Sequence, residues 1–235
     1  MIGGKWPLKH SKSTMLSHKY KNPKVALVYD RVNTSYGGAE HLVKAIGEIF
    51  PKAPLFTSVY SKNKSKWANN FKIIPSFLQK IKFLRNHHQF IATLMPFAFE
   101  SLDLSNFNII ISVTSAEAKG VLTKPNQLHI CYMLTPTRYL YSHKESYLKS
   151  QKIFKCIIIK SLAKLGLNYI RWWDKAAANR PDVIIPISNL VKSRIKKYYN
   201  LSSAETIYPP VNTSLRVNKS QKKIDPYYLS LSRLV

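Results

Sequence analysis

Short, continuous apolar runs alternate with amphipathic segments along most of the chain. A run of this kind that is bounded by polar residues is typical of a parallel strand buried on both faces. The runs that predict strands lie at residues 24–30, 54–60, 71–75, 108–113, 128–133 and 182–188, and a further segment of interest follows at 205–211. The strands therefore recur along the chain rather than clustering at one end.

The segments between these runs have apolar residues at helical spacing. In 39–50 the repeating positions are Leu42, Val43, Ile46 and Ile49, which is the pattern of an amphipathic helix. Further helices are predicted for 77–95, 151–179 and 189–199, the last one capped by Ser188. In 77–95 the apolar positions near one face are Phe77, Ile81, Leu84, Ile91 and Met95. Strands separated by helices imply an α/β fold with a doubly wound, Rossmann-like parallel sheet.

The two ends of the chain differ from its middle. Residues 1–23 are rich in lysine and have no apolar run, so they are predicted to be a disordered basic extension. The α/β domain is expected to occupy 24–211. Residues 212–226 are polar and basic, as in a linker, and 227–235 have the pattern of a new strand. We therefore expect one domain followed by the first strand of a second, missing domain.

The charge of the chain is strongly positive. Lysine and arginine number 37 against 11 acidic residues, which gives a formal net charge of +26. A surplus of this size indicates an anionic partner, namely nucleic acid, an anionic membrane or a phosphorylated ligand. The two cysteines are too few for a disulfide framework, which favours a reduced, cytoplasmic setting. No cysteine and histidine cluster suggests a metal site.

Two long spans contain no acidic residue. They lie between Glu48 and Glu100 and between Glu145 and Asp174, and both mix cations with large apolar side chains. Such a mixture suits the surface of an anionic membrane, although a solvated basic face with an ordinary core stripe has the same composition. Trp172 and Trp173 are open to the same two interpretations, as interface anchors or as packing residues. The apolar stretch 153–167 is interrupted by lysines and is too short to cross a bilayer.

The loop after the first predicted strand contains the pair Gly37 and Gly38, which opens the helix 39–50. Glycines let a ligand approach the backbone closely, and the free N–H groups of a helix start favour an anion such as phosphate. The motif is neither GxGxxG nor a P-loop. A tight strand-to-helix turn without a ligand would give the same pattern.

Several segments together resemble one known family. They are YGGAEH, FLQKIKFLR, LMPFAFESLDLSNFNIIISVTSAEAKGV, LHICYMLTPTRYLYS, ISNLVKSRIKKYY, IYPPVN and YYLSLSRLV. In register from about residue 24 to 235, they are similar to the family 4 glycosyltransferases of GT-B architecture. The resemblance implies that the chain is the acceptor-side N-terminal half of a retaining enzyme. Its substrates would be a nucleotide-sugar donor and a sugar, polysaccharide or lipid-linked acceptor, with no metal or other cofactor.

The same resemblance assigns roles to individual residues. Gly37, Gly38 and Arg233 would bind the diphosphate of the donor, which suits the forked donors of a guanidinium. Thr135, Arg138 and Tyr139 would line the cleft on the acceptor side. Leu134 stands where related sequences often have a histidine near the reacting sugar, so no catalytic residue is assigned. His129, inside a predicted strand, is interpreted as a core histidine whose hydrogen bonds are satisfied.

Two other functions remain open on this reasoning. The net charge of +26 and the 14 tyrosines also fit a basic nucleic-acid-binding α/β protein, although no nucleic-acid motif is visible and this partner is not favoured. A non-catalytic partner built from half a transferase is the third possibility. For the enzyme, we expect peripheral association with the cytoplasmic face of the cell membrane. The chain alone is expected to fold but to be inactive without a donor-binding domain.

Overall fold

A computed structural model of the protein describes residues 22–81, 93–141 and 157–211, with the backbone alone for 157–165. Its centre is a sheet of six parallel strands in the order β3-β2-β1-β4-β5-β6. The strands are β1 Val25–Tyr29, β2 Leu55–Thr57, β3 Ile73–Pro75, β4 Ile109–Thr114, β5 Leu128–Met133 and β6 Val183–Pro186. This is the predicted Rossmann-like, doubly wound fold. Five of these strands fall inside a predicted run, and β4 extends one residue beyond its run 108–113.

Four α-helices lie among the described residues. They are α1 Gly38–Ile49, α2 Met95–Glu100, α3 Ile157–Ala177 and α4 Asn189–Tyr199. The predictions for α1, α3 and α4 are confirmed within a few residues, and the Ser188 side chain accepts a hydrogen bond from the Val191 N–H at 3.2 Å, as expected of its cap. Residues 151–156 of the predicted third helix lie outside the described residues.

The predicted continuous helix over 77–95 is wrong at both of its described ends. Phe77–Lys80 form a single 3₁₀ turn, and the backbone at Ile81 is extended. The α-helix α2 starts only at Met95, with Pro96 in its first turn. Proline is favoured there because it lacks an N–H and has a fixed φ, so it marks the start of a helix. The middle of the predicted helix, 82–92, lies outside the described residues.

Alternate side chains of the strands form two separate apolar layers. On one face, Leu27 and Ile111 pack with Leu42 and Val43 of α1. On the other face, Val28 and Ile110 pack with helix α2, and the neighbouring part of that face is covered by α4. Helix α3 lies beside α2, because Trp173 of α3 hydrogen-bonds Glu100 at 2.7 Å. The sheet is therefore buried on both faces, as its continuous apolar strands predict.

The segment after α4 has no regular secondary structure between Leu201 and Val211. It nevertheless runs along β6, because the N–H groups of Ala204 and Ile207 donate to the carbonyls of Ile184 and Pro186 at 2.8 and 3.2 Å. Among the described residues, no helix combines the length and the apolar character that crossing a bilayer requires. The predicted extension up to residue 21, the linker 212–226 and the strand 227–235 lie outside the described residues.

Candidate functional site

The strand order places the carboxyl ends of β1 and β4 next to each other in the middle of the sheet. Tyr29, at the end of β1, is opposite Val113 of β4. The chain passes from β1 outward to β3 and then returns to the other side of β1. Open α/β sheets bind ligands in the crevice at such a switch point, and the polar residues of this protein converge there.

Asp30 follows β1 directly and ties together the two loops at this edge. Its carboxylate accepts hydrogen bonds from the Thr114 hydroxyl at 2.7 Å and from the backbone N–H groups of Ser115 and Ala118 at 2.7 and 2.8 Å. The side chain is buried, so three short bonds replace the water that it would otherwise bind. Asp30 therefore fixes the loop after β4 against the end of β1.

Glu117 is a buried carboxylate in that same loop. Its Oε1 accepts a hydrogen bond of 2.5 Å from the Tyr139 hydroxyl. Its Oε2 lies 3.9 Å from an Nη of Arg31 and receives no hydrogen bond from the described residues. Burial raises the pKa of Glu117 above its ordinary value, although the Arg31 charge opposes this shift. Glu117 is thus a buried carboxylate with a raised pKa and one oxygen that can still accept a hydrogen bond.

Behind Glu117, Lys119 and Asp174 form a fully buried ion pair. The Lys119 ammonium lies 2.5 Å from Asp174 Oδ1 and also donates to the Ala116 carbonyl. Asp174 accepts three further hydrogen bonds, from the hydroxyls of Thr137, Tyr141 and Tyr199, at 2.7, 3.0 and 2.8 Å. The pair thus links the loop after β4, the loop after β5 and helices α3 and α4. Because Asp174 bonds Thr137 and Tyr141, the pair fixes the position of the loop that carries Tyr139.

Helix α1 begins at the same edge of the sheet. Gly37 is its N-cap residue, with an extended backbone at φ −149°, and no side chain caps the helix. A Cβ added at Gly38 would meet nothing within 4 Å, so the packing of the protein does not require glycine there. Glu40 in the first turn is turned inward, where it accepts from the hydroxyls of Tyr29 and Thr34 at 2.9 and 2.8 Å. The helix start is left open to an approaching group.

The other residues assigned by resemblance are placed differently. Thr135 is half-buried, and its hydroxyl accepts from Arg194 at 3.5 Å. Arg138 is exposed at the start of a 3₁₀ turn, Arg138–Leu140. Leu134 packs into the apolar layer on the α1 face. The structure therefore brings Tyr139 into the polar cluster of Arg31 and Glu117, whereas Thr135 pairs with α4, and Arg233 lies outside the described residues.

His129 is buried in β5 and shares a hydrogen bond of 2.8 Å with Ser112 through Nε2. Its Nδ1 has no hydrogen-bond partner among the described residues, so the predicted core position is confirmed but full satisfaction of the ring is not. Burial lowers the pKa of His129 to about 4, and the ring is neutral at pH 7.

Sequence reasoning missed Asp30, Arg31 and Glu117. Asp30 and Arg31 were visible as the polar pair that directly follows a buried strand, and Glu117 follows the strand β4 by three residues. Once β1 and β4 are known to be neighbours, these are the positions that flank the switch point. Their pairing was hidden because it depends on the strand order, which no local pattern specifies.

Comparison with models of protein families and with curated proteins finds no match for this chain. Within the residues that the structure describes, no three histidine, cysteine, aspartate or glutamate side chains are grouped as a metal ion would require. The site is thus characterised by its own geometry: an open helix start on one side of the switch point and a buried, under-bonded carboxylate on the other.

Proposed function

We propose that this protein is the acceptor-side domain of a retaining glycosyltransferase of GT-B architecture. It would transfer a sugar from a nucleotide-sugar donor to a membrane-associated acceptor, such as a polysaccharide or a lipid-linked sugar. The observation that carries the proposal is the convergence of the open α1 start and the Arg31–Glu117–Tyr139 cluster at the switch point. The motif resemblance of residues 24–235 supports the same conclusion.

The two halves of the crevice have complementary chemistry for such a reaction. The N–H groups at the start of α1 suit the diphosphate of the donor, because the backbone at Gly38 is open and the helix dipole favours an anion. Glu117 and Tyr139 suit the hydroxyl groups of an acceptor sugar, which can donate to Glu117 Oε2 and to the phenolic oxygen of Tyr139, whose own proton is donated to Glu117 Oε1. The Arg31 charge, 3.9 Å from Glu117 Oε2, opposes the rise that burial causes in the pKa of Glu117 and so favours the ionised form.

The sample to test is the complete product of the reading frame that encodes this chain, because a GT-B enzyme binds its donor with a second domain. With a panel of nucleotide-sugars and membrane-derived acceptors, it should release nucleoside diphosphate, and the product should keep the anomeric configuration of the donor. A folded sample that releases none with a broad panel would refute the proposal.

A single substitution separates a ligand role of the glycines from a structural one. Gly38→Ala should leave the protein as stable as the wild type, because its Cβ meets no protein atom within 4 Å. If the donor diphosphate lies against this backbone, KM for the donor should rise at least about tenfold, the effect of losing one charge-assisted hydrogen bond. Lys44→Ala, on the exposed side of the same helix, is the matched control and should leave KM unchanged.

The net charge of +26 keeps a nucleic-acid-binding function as the competing candidate. That function predicts sequence-tolerant binding to oligonucleotides that weakens steeply with salt. Binding of this kind, together with no preference for anionic over neutral lipid vesicles, would favour the competitor over the transferase.

A further inference from the structure

The two adjacent tryptophans of α3 differ sharply in exposure. Trp173 is only 3% exposed, and its Nε1 donates to Glu100 at 2.7 Å. Trp172 is 69% exposed. Trp173 is therefore the packing residue, and Trp172 is a large aromatic side chain that the fold leaves uncovered. Isolated exposed apolar residues are ordinary on protein surfaces, so the meaning of Trp172 depends on its neighbours.

Trp172 belongs to a group of exposed apolar side chains on α2 and α3. Within α3, Tyr169 is three residues before it and lies on the same side of the helix. Leu94 and Phe97 have the same spacing at the start of α2, and all four side chains are more than a third exposed. The helices are in contact, since Trp173 of α3 bonds Glu100 of α2 and a Cβ added at Gly166 would lie 3.1 Å from the Thr93 methyl group. We call Leu94, Phe97, Tyr169 and Trp172 the aromatic face.

The aromatic face is where the two acid-free spans of the sequence meet. Leu94 and Phe97 belong to the span that ends at Glu100, and Tyr169 and Trp172 belong to the span that ends at Asp174. Both of these bounding acids are paired: Asp174 is buried with Lys119, and Glu100, whose side chain is 26% exposed, lies 2.6 Å from Arg180. Two separate stretches of the chain thus place apolar groups on one surface, and the acids that bound them are both neutralised by a cation.

Exposed cations accompany the apolar groups. Arg171 and Lys175 lie on the outer side of α3, and the Arg171 guanidinium lies 5.4 Å from the centre of the Tyr141 ring. Neither cation pairs with the acids of α2 or α3, because Glu100 pairs with Arg180 and Asp174 pairs with Lys119. Tryptophan and tyrosine favour the boundary between water and hydrocarbon, where flanking arginine and lysine reach lipid phosphates.

We propose that the aromatic face is the surface by which this protein docks on an anionic lipid membrane. The inference rests on the membrane-associated acceptor of the proposed function and specifies which side of the domain meets the bilayer. Phe97 and Leu94 enter the interface, Tyr169 and Trp172 lie at the level of the headgroups, and Arg171 and Lys175 meet phosphates. A second copy of the chain is the poorer occupant, because two molecules of charge +26 repel each other.

The test is sedimentation of the full chain with vesicles of phosphatidylcholine alone and of phosphatidylcholine with phosphatidylglycerol. The wild type should bind the anionic vesicles more tightly, and added salt should weaken the binding. The double variant Phe97→Ser with Trp172→Ser should bind at least about tenfold more weakly, because both side chains lose apolar area buried in the interface. Ile49→Ser is the matched control, since Ile49 is 70% exposed on α1, which covers the opposite face of the sheet.

The outcomes separate the inference from the proposed function. If the wild type does not prefer anionic vesicles, membrane docking itself is wrong, and this face with it. If the wild type binds but the folded double variant binds equally well, the face alone is wrong. If the double variant keeps vesicle binding and instead loses oligonucleotide binding, the face is assigned to nucleic acid. If it instead loses self-association in a sedimentation run without lipid, the face is an interface between copies of the chain. Either result would overturn the inference. Release of nucleoside diphosphate tests the transferase independently.

Discussion

The buried Lys119–Asp174 pair allows the stability of the crevice wall to be predicted from its contacts. Both side chains are almost fully buried, with 1% and 2% of their surface exposed. In Asp174→Asn, the neutral amide would leave the Lys119 ammonium without a compensating charge. Removing one partner of a buried ion pair costs about 3–5 kcal/mol, so we expect the free energy of unfolding to fall by that amount.

The opposite substitution should cost less. In Lys119→Met, the Asp174 carboxylate still accepts from the hydroxyls of Thr137, Tyr141 and Tyr199, and bonds to a charged group contribute about 1.5–3 kcal/mol each. We therefore expect a loss of about 1–3 kcal/mol, below the range of about 3–5 kcal/mol for a broken pair whose remaining charge has no such bonds. The double variant has no uncompensated charge, so its loss should be smaller than the sum of the single losses by about 2 kcal/mol or more.

The measurement is urea unfolding of the four proteins, followed by circular dichroism at pH 7–8. Burial opposes the charge of Lys119, but Asp174 prevails and raises its pKa above the ordinary value of 10.5. The contribution of the pair is thus present in full below pH 10.5 and is lost only as pH rises through the higher pKa of the folded state. Arg180→Met is the control for a weaker pair, because the side chains of Arg180 and Glu100 are each 26% exposed. Additive losses, or a larger loss in Lys119→Met than in Asp174→Asn, would refute the reasoning.

Three further predictions concern single side chains. His129 has a pKa of about 4 in the folded protein because it is buried, so protonation of the unfolded chain should destabilise the fold as pH falls from 6.5 to 4, by about 3 kcal/mol. His129→Asn should flatten this part of a pH series of thermal unfolding, and an unchanged slope would contradict the assignment. Tyr139→Phe should lower the free energy of unfolding by about 1.5–3 kcal/mol, because Glu117 Oε1 loses its phenolic donor. The same substitution should cost less in a protein that already carries Glu117→Gln, and an equal cost there would argue against the hydrogen bond. A Cβ at Gly120 would overlap the Trp173 ring, so Gly120→Ala should cost about 1–3 kcal/mol in urea unfolding, and a neutral result would mean that the ring moves freely.

The fold was more predictable than the site, for a physical reason. A strand buried on both faces is mostly apolar, so the runs 108–113 and 128–133 were visible before their partners were known, and they match the strands Ile109–Thr114 and Leu128–Met133 within a residue. The helix predicted over 77–95 failed because apolar spacing alone does not show where Ser76 and Pro96 cap or start a helix. For α1, spacing and the glycine pair agreed, and the prediction was accurate.

The site depended on contacts between distant parts of the chain. Asp30 bonds the loop that follows Thr114, and Lys119 meets Asp174, although these residues are far apart in sequence. Nothing local in the sequence distinguishes the buried Lys119 from the many exposed lysines of this basic chain. The glycine pair was a candidate because it opens a helix after the first strand, and Tyr139 was a candidate through the resemblance, whereas Arg31 and Glu117 could be recognised only after the strand order was known. The different exposures of Trp172 and Trp173 likewise follow from packing alone.

The pairing of β1 with β4 also bears on how the protein is made. Val25 is opposite Ile109. A ribosome must therefore synthesise more than eighty residues after the first strand before all of β4 is available to pair with β1. Until then β1 can pair only with β2, and its other edge stays open to unwanted partners. Contacts between such distant residues slow folding, because a long loop must be ordered first. Asp30 cannot reach the Ala118 N–H before that closure, so the crevice forms only once the two halves of the sheet have joined. We expect nascent chains that end before residue 109 to need a chaperone, which protects the open strand edge.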